Sequence, residues 1–103
     1  MSESTFDKRD KQQGDISALR LDIDEIDTNI LNLINQRLLL ALKIGAAKKQ
    51  DSIQIIDRGR EKEIIERLQR TNSGPLEAGG LQRIFEAIIA AGRSVQKTDR
   101  RSK

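Results

Sequence analysis

The chain has 103 residues, a formal charge of +3, two Phe, no Trp or Tyr, and neither Cys nor His. That length holds one domain with a small aliphatic core, for which association with another chain is a common remedy. The missing Cys and His exclude disulfides, thiol catalysis and Cys/His metal sites, and remove the usual general base near neutral pH.

Residues 1–14 (MSESTFDKRDKQQG) are polar and aperiodic and read as a disordered arm. From Ile16 the pattern changes. Ile16, Leu19, Ile23, Ile26, Ile30, Leu33, Arg37, Leu40, Ile44 and Ala47 follow alternating steps of three and four, with Asp15 placed to cap the start. Leu31, Ile34, Leu38, Leu39 and Leu42 widen the apolar face, as a helix with several partners requires. The predicted helix is about 50 Å long at the standard rise.

Residues 50–56 (QDSIQII) break the rhythm and predict a loop. Asp57 is placed to cap a second helix whose inward face runs Glu61, Ile64, Ile65, Leu68, stopped by Thr71-Asn72-Ser73-Gly74. Pro75 reads as a first-turn proline of a third helix, with Leu81, Ile84, Phe85, Ile88, Ile89, Gly92, Val95 and Gln96 inward. No strand pattern occurs, so the expected fold is all-α: three helices, one long and two shorter. The domain is expected over 15–97, with 98–103 a basic C-terminal tail. Interspersed charges read as a solvated surface, and the basic end as a soluble tail rather than a nucleic-acid contact. No window reads as a membrane span and the N-terminus is no signal peptide, so the expected location is cytoplasmic. Acidic residues show no ligand spacing, so neither metal nor cofactor is expected.

Four polar residues interrupt the apolar faces. Arg37 takes a seam position between Leu33 and Leu40, where an unpaired guanidinium is costly and an anion should meet it. Lys48 follows 11 positions later, nearly three whole turns, so two cations can reach one small anion from either end. Glu61 and Gln96 lie on the inward faces of the other helices. Singly, each has an ordinary reading: Arg37 snorkelling or paired with Glu61, Lys48 near a helix end, Glu61 in a first turn, Gln96 at a fraying end. Together on three inward faces they point to a pocket.

The stretches LRLDIDEIDTNILNLINQR, IGAAKK, IIDRGREKEIIERL and IFEAIIAAGRSVQ resemble the all-helical, AroQ-type chorismate mutases from about Ile16 to Gln96. The resemblance implies an intertwined helical-bundle homodimer with shared active sites, converting chorismate to prephenate in the shikimate route to aromatic amino acids. It implies that Arg20 enters the partner subunit's site, while Arg37 completes a clamp for the two substrate carboxylates. Lys48 and Gln96 would donate to the ether oxygen of the breaking bond. Arg60 would position the substrate, Glu61 would accept from its hydroxyl, and Asp57 would lend a backbone group beside that hydroxyl. Gly92 departs from relatives that carry a serine against a substrate carboxylate. If both Arg20 and Lys48 touch one substrate, as the resemblance implies, the site must be shared, because the 28 positions between them span about 42 Å of helix.

The chemistry suits a chain without His or Cys, since this pericyclic rearrangement transfers no proton and needs no nucleophile. The rival readings are isochorismate pyruvate-lyase, a weakly active regulatory domain of the same fold, and a helical dimerisation module binding nucleic acid through basic ends. Glu61 is placed for the chorismate hydroxyl, and the full residue set argues against a dead site. The last rival leaves Arg37 unexplained and lacks the aromatic platforms that hold single strands.

Overall fold

A computed structural model describes residues 15–50 and 57–101, with the side chains of 15–48 and 57–97. It contains three helices: α1 (Ile16–Gln50), α2 (Arg58–Thr71) and α3 (Ala78–Arg101). No strand occurs among the described residues, so the fold is all-helical, as the periodicity predicts. The arm expected at 1–14 lies outside the described residues, as does the expected loop from residue 51 on. α3 continues four residues past the domain boundary expected at 97.

The starts of α1 and α2 follow from their caps. Asp15 Oδ1 accepts from the backbone N–H of Ser17 at 3.0 Å and of Ala18 at 3.4 Å. Asp57, in extended backbone, accepts from Arg60 N at 2.9 Å, while its carbonyl takes the first helical bond from Glu61 N. The third start is corrected. Pro75 precedes α3 instead of sitting in its first turn, and the first helical bond runs from Leu81 N to Glu77 O at 2.9 Å. Side chains of α2 and its C-cap set that later start: Asn72 Nδ2 donates to Leu76 O and Gln69 Nε2 to Ala78 O. These bonds hold the turn in a shape that delays the helix.

By contacts the chain divides into two compact units, Met1–Leu33 and Ile34–Lys103. In the described part of the first, Ile16, Leu19, Ile23, Ile26, Ile30 and Leu33 are all exposed. Thr28 Oγ1 donates back to Asp24 O at 3.1 Å, a bond local to the helix. The second unit carries the core. Among the described residues its buried apolar side chains are Ala41, Ile64, Leu81 and Ile89, and none of these is fully sealed from solvent.

The seam read from the sequence is not the face buried within the chain. Leu40 and Ile44 are exposed, Leu40 at 58%. The buried side of α1 is the neighbouring stripe, where Ala41 and Gly45 are buried and Ile34, Leu38, Leu42 and Lys48 are half-buried. Both stripes are spaced by threes and fours, so periodicity alone does not choose between them. Ile84, expected inward on α3, is 48% exposed. A further difference concerns composition. α1 is long and apolar enough to cross a membrane by length and composition, where no such window is expected from the sequence. The cause is sparse charge: between Asp27 and Lys48 the only charged residues are Arg37 and Lys43.

At Gly45 the backbone of α1 lies close against Gln96 of α3. A Cβ there would stand 2.8 Å from Gln96 Cγ, closer than packed carbons allow, and 3.2 Å from Gln96 Cβ, a tight contact. Gln96 is buried, so it has little room to retreat. Gly45→Ala should therefore lower unfolding stability by about 1–3 kcal/mol, the usual range for overpacking. Gly59, whose added Cβ would meet only Asp57 Oδ1 at 3.6 Å, is the control. Gly59→Ala should be neutral or gain up to about 1 kcal/mol. Equal stability of the two variants in urea denaturation would overturn this account of the contact.

Candidate active site

The second unit contains a cavity of about 240 Å³ whose walls come from all three helices. α1 contributes Arg37, Ile44 and Lys48; the start of α2 contributes Asp57, Arg60, Glu61 and Ile64; α3 contributes Ile89, Gly92, Arg93 and Gln96. Seven of the eight residues singled out from the sequence thus line one space. The eighth, Arg20, is exposed on α1 in the first unit and is not among the lining residues.

Gln96 is the most buried polar residue of the site, at 7% exposure. Its Nε2 donates to Ala41 O at 2.9 Å, which ties α3 to α1. An amide nitrogen has two N–H groups, so one donor remains beyond this bond. Its Oε1 is buried and accepts no hydrogen bond among the described residues. Gln96 is therefore an inward polar group held in place, not the frayed end that its position near the C-terminus allows.

Arg37 is half-buried and lies beside Gly92, where an added Cβ would be 3.7 Å from Arg37 Nη1 and 3.6 Å from Ala41 Cβ. A methyl group there would make only ordinary van der Waals contacts with both. Among the described residues Arg37 forms no ion pair. Its alternative sequence reading, a pairing with Glu61, does not hold. Glu61 is instead engaged by Arg93, whose Nη1 donates to Glu61 Oε2 across 32 positions of chain. Arg60 lines the cavity, but its Nη1 pairs with Glu63 Oε1 at 2.9 Å, and both side chains are exposed. That pair is worth little in water. Asp57 spends its carboxylate on capping α2, which leaves its backbone at the cavity edge.

The lining carries four cations, Arg37, Lys48, Arg60 and Arg93, against two carboxylates, Asp57 and Glu61. A space of this size with excess positive charge suits a small dianion. A larger hollow of about 580 Å³ lies between α2 and α3, but Glu61 is the only sequence-predicted site residue that it shares. The collected chemistry favours the smaller space.

Two contributors, Arg93 and Gly45, escaped the sequence reading. Arg93 lies four positions after Ile89 and three before Gln96, so it interrupts the inward stripe of α3 as Arg37 interrupts α1. Gly45 sits mid-helix, where glycine costs about 1 kcal/mol against alanine and so calls for a packing reason.

Comparison with known proteins identifies the family. The family model "Chorismate mutase type II" matches residues 19–97. The chain is 36% identical over 84 residues to the chorismate mutase of Methanocaldococcus jannaschii, covering 80% of this chain and 84% of that one. It is 37% identical over 87 residues to the bifunctional chorismate mutase/prephenate dehydratase of Aquifex aeolicus, covering 81% of this chain but only 24% of that protein. The chain thus spans about a quarter of such bifunctional relatives. Among solved structures, form II of the chorismate mutase from Thermus thermophilus superposes with a TM-score of 0.78 at 28% identity, covering 80% of this chain and 93% of the other. With most of its length matched by that family and its polar residues gathered in one cationic cavity, this chain belongs to the type II chorismate mutases.

Proposed function

We propose that the chain catalyses the Claisen rearrangement of chorismate to prephenate, as a cytoplasmic homodimer, through its domain at 15–97. The observation that carries this reading is Arg37, a half-buried cation without an ion pair among the described residues, facing a cavity that also holds Lys48 and Gln96. A guanidinium so placed is stabilised by an anionic ligand, and a carboxylate matches its fork. The excess of cations over carboxylates complements a dicarboxylate substrate.

The reaction breaks a C–O bond and forms a C–C bond around a six-membered ring, so no proton leaves the substrate. Electron density accumulates on the ether oxygen as the bond breaks. Lys48 donates to that oxygen, and the second N–H of Gln96 joins it. The bond to Ala41 O already fixes the Gln96 amide, so the donor needs little reorganisation. Arg37 holds one carboxylate, and Arg20 of a second copy holds the other, drawing the enolpyruvyl arm over the ring. Arg60 flanks the substrate, the Asp57 backbone borders the hydroxyl, and Glu61 accepts from it. Gly92 borders the cavity beside Arg37.

The second copy is supported by the apolar surface that one chain leaves uncovered. Ile23, Ile26, Ile30, Leu33, Leu40 and Ile44 are each about half exposed or more on α1. A bilayer is a poor cover, because Asn29, Asn32, Asn35, Gln36 and Arg37 interrupt the same span and polar side chains are expensive in hydrocarbon. A self-complementary helix face related by two-fold symmetry covers such a surface twice over.

Following chorismate loss and prephenate formation, with isochorismate in parallel, tests the reaction directly; release of pyruvate from isochorismate would favour the lyase. Lys48→Ala should lower kcat by at least about 10²-fold with a smaller change in KM, because its bond strengthens as charge develops. A raised KM with unchanged kcat would overturn this role.

The shared site makes a separate prediction. Arg20→Ala and Lys48→Ala chains, each nearly inactive, should regain activity when unfolded and refolded together. Half of randomly paired dimers are mixed, and each mixed dimer holds one site with neither defect, so recovery should reach about a quarter of wild type. An active Arg20→Ala protein would remove Arg20 from the site. No recovery despite mixed dimers, detected by two affinity tags, would remove the shared architecture.

A further inference from the structure

The Arg93–Glu61 pair differs in kind from the ion pairs within α2. The Arg60–Glu63 and Lys62–Glu66 pairs are local to that helix and exposed on both partners. Arg93 and Glu61 join α3 to α2, with side-chain exposures of 30% and 23%. Both residues line the 240 Å³ cavity, and both also line the 580 Å³ hollow between α2 and α3. The pair therefore forms a wall that the two spaces share.

The bond is one-sided: Arg93 Nη1 engages Glu61 Oε2 and leaves Oε1 available as an acceptor. Without Arg93, the flexible Glu61 side chain has competing cations close by. Arg58, three positions earlier on α2, and Lys62, the next residue, both line the larger hollow. Either would draw the carboxylate away from the cavity.

The geometry points to Arg93 as a positioning residue for recognition of the substrate's ring hydroxyl: it anchors one oxygen of Glu61 so that the other faces the hydroxyl. This rests on the mutase reading of the same cavity. It assigns Arg93 no contact with the reacting atoms, and it makes hydroxyl recognition depend on a residue of α3 as well as on α2.

The test compares chorismate with the analogue lacking the ring hydroxyl, using wild type, Arg93→Ala, Arg93→Met, Arg93→Lys, Glu61→Gln and the double variant. Arg93→Ala should lower kcat/KM for chorismate by about 10- to 100-fold, the scale of misplacing a substrate-binding group. The loss should be under about threefold for the deoxy analogue, which has no hydroxyl for Glu61 to accept from. Arg93→Lys should recover part of the loss through charge without the guanidinium fork. Combined with Glu61→Gln, Arg93→Ala should add little, since both act through one contact. Arg93→Met keeps the length of the side chain and gives the same comparison should the alanine variant fail to fold. Equal losses for both substrates, or wild-type activity of Arg93→Ala on chorismate, would overturn the assignment. Wild-type protein that converts neither compound would instead overturn the mutase reading and this assignment with it.

Discussion

One buried amide joins the elements that the cavity depends on. Gln96 is nearly sealed from solvent, and burying an amide is unfavourable unless its donors and acceptors are met. Its bond to the Ala41 carbonyl meets one of them, and it forms only because Gly45 has no side chain in the way. That approach brings the end of α3 against the second half of α1. Gly92, one turn earlier, is thereby carried to the flank of Arg37. The position of the cationic wall follows from a contact between a glycine and an amide rather than from charge.

Charge then decides what the cavity can hold. Arg93 occupies Glu61, the one acid among the inward polar residues read from the sequence, so that acid does not neutralise Arg37. Had Glu61 paired with Arg37, the space would hold a satisfied internal ion pair with little attraction for an anion. Arg60 turns its guanidinium to Glu63 and Asp57 turns its carboxylate to the helix N-terminus. What remains directed inward is cationic and amide-like, a surface suited to stabilising negative charge without proton transfer.

Among the described residues the core is slight, with four buried apolar residues and none fully sealed. A far larger apolar surface lies along α1, from Ile16 to Ile44, than the chain covers by itself. In the proposed dimer, folding and association are coupled, because burial of this α1 surface offsets the entropy of ordering a 35-residue helix. The dimer proposed above unites this surplus with the position of Arg20, which lies in the first unit and outside the cavity lining.

The amino-acid sequence by itself determined the helical class, the caps at Asp15 and Asp57, and the unusual status of Arg37, Lys48, Glu61 and Gln96. These are legible because they depend on near neighbours: a 3.6-residue period, a side chain capping its own helix, a polar residue interrupting an apolar stripe. Tertiary structure decided what depends on distant partners. It chose the Ala41–Gly45 stripe for burial over the equally periodic seam through Leu40 and Ile44, and left Ile84 exposed. It also chose Arg93 over Arg37 as the partner of Glu61, because a long guanidinium arm reaches several acids and only the packing of α3 on α2 says which is near. Periodicity specifies a face; only assembled geometry specifies what meets it.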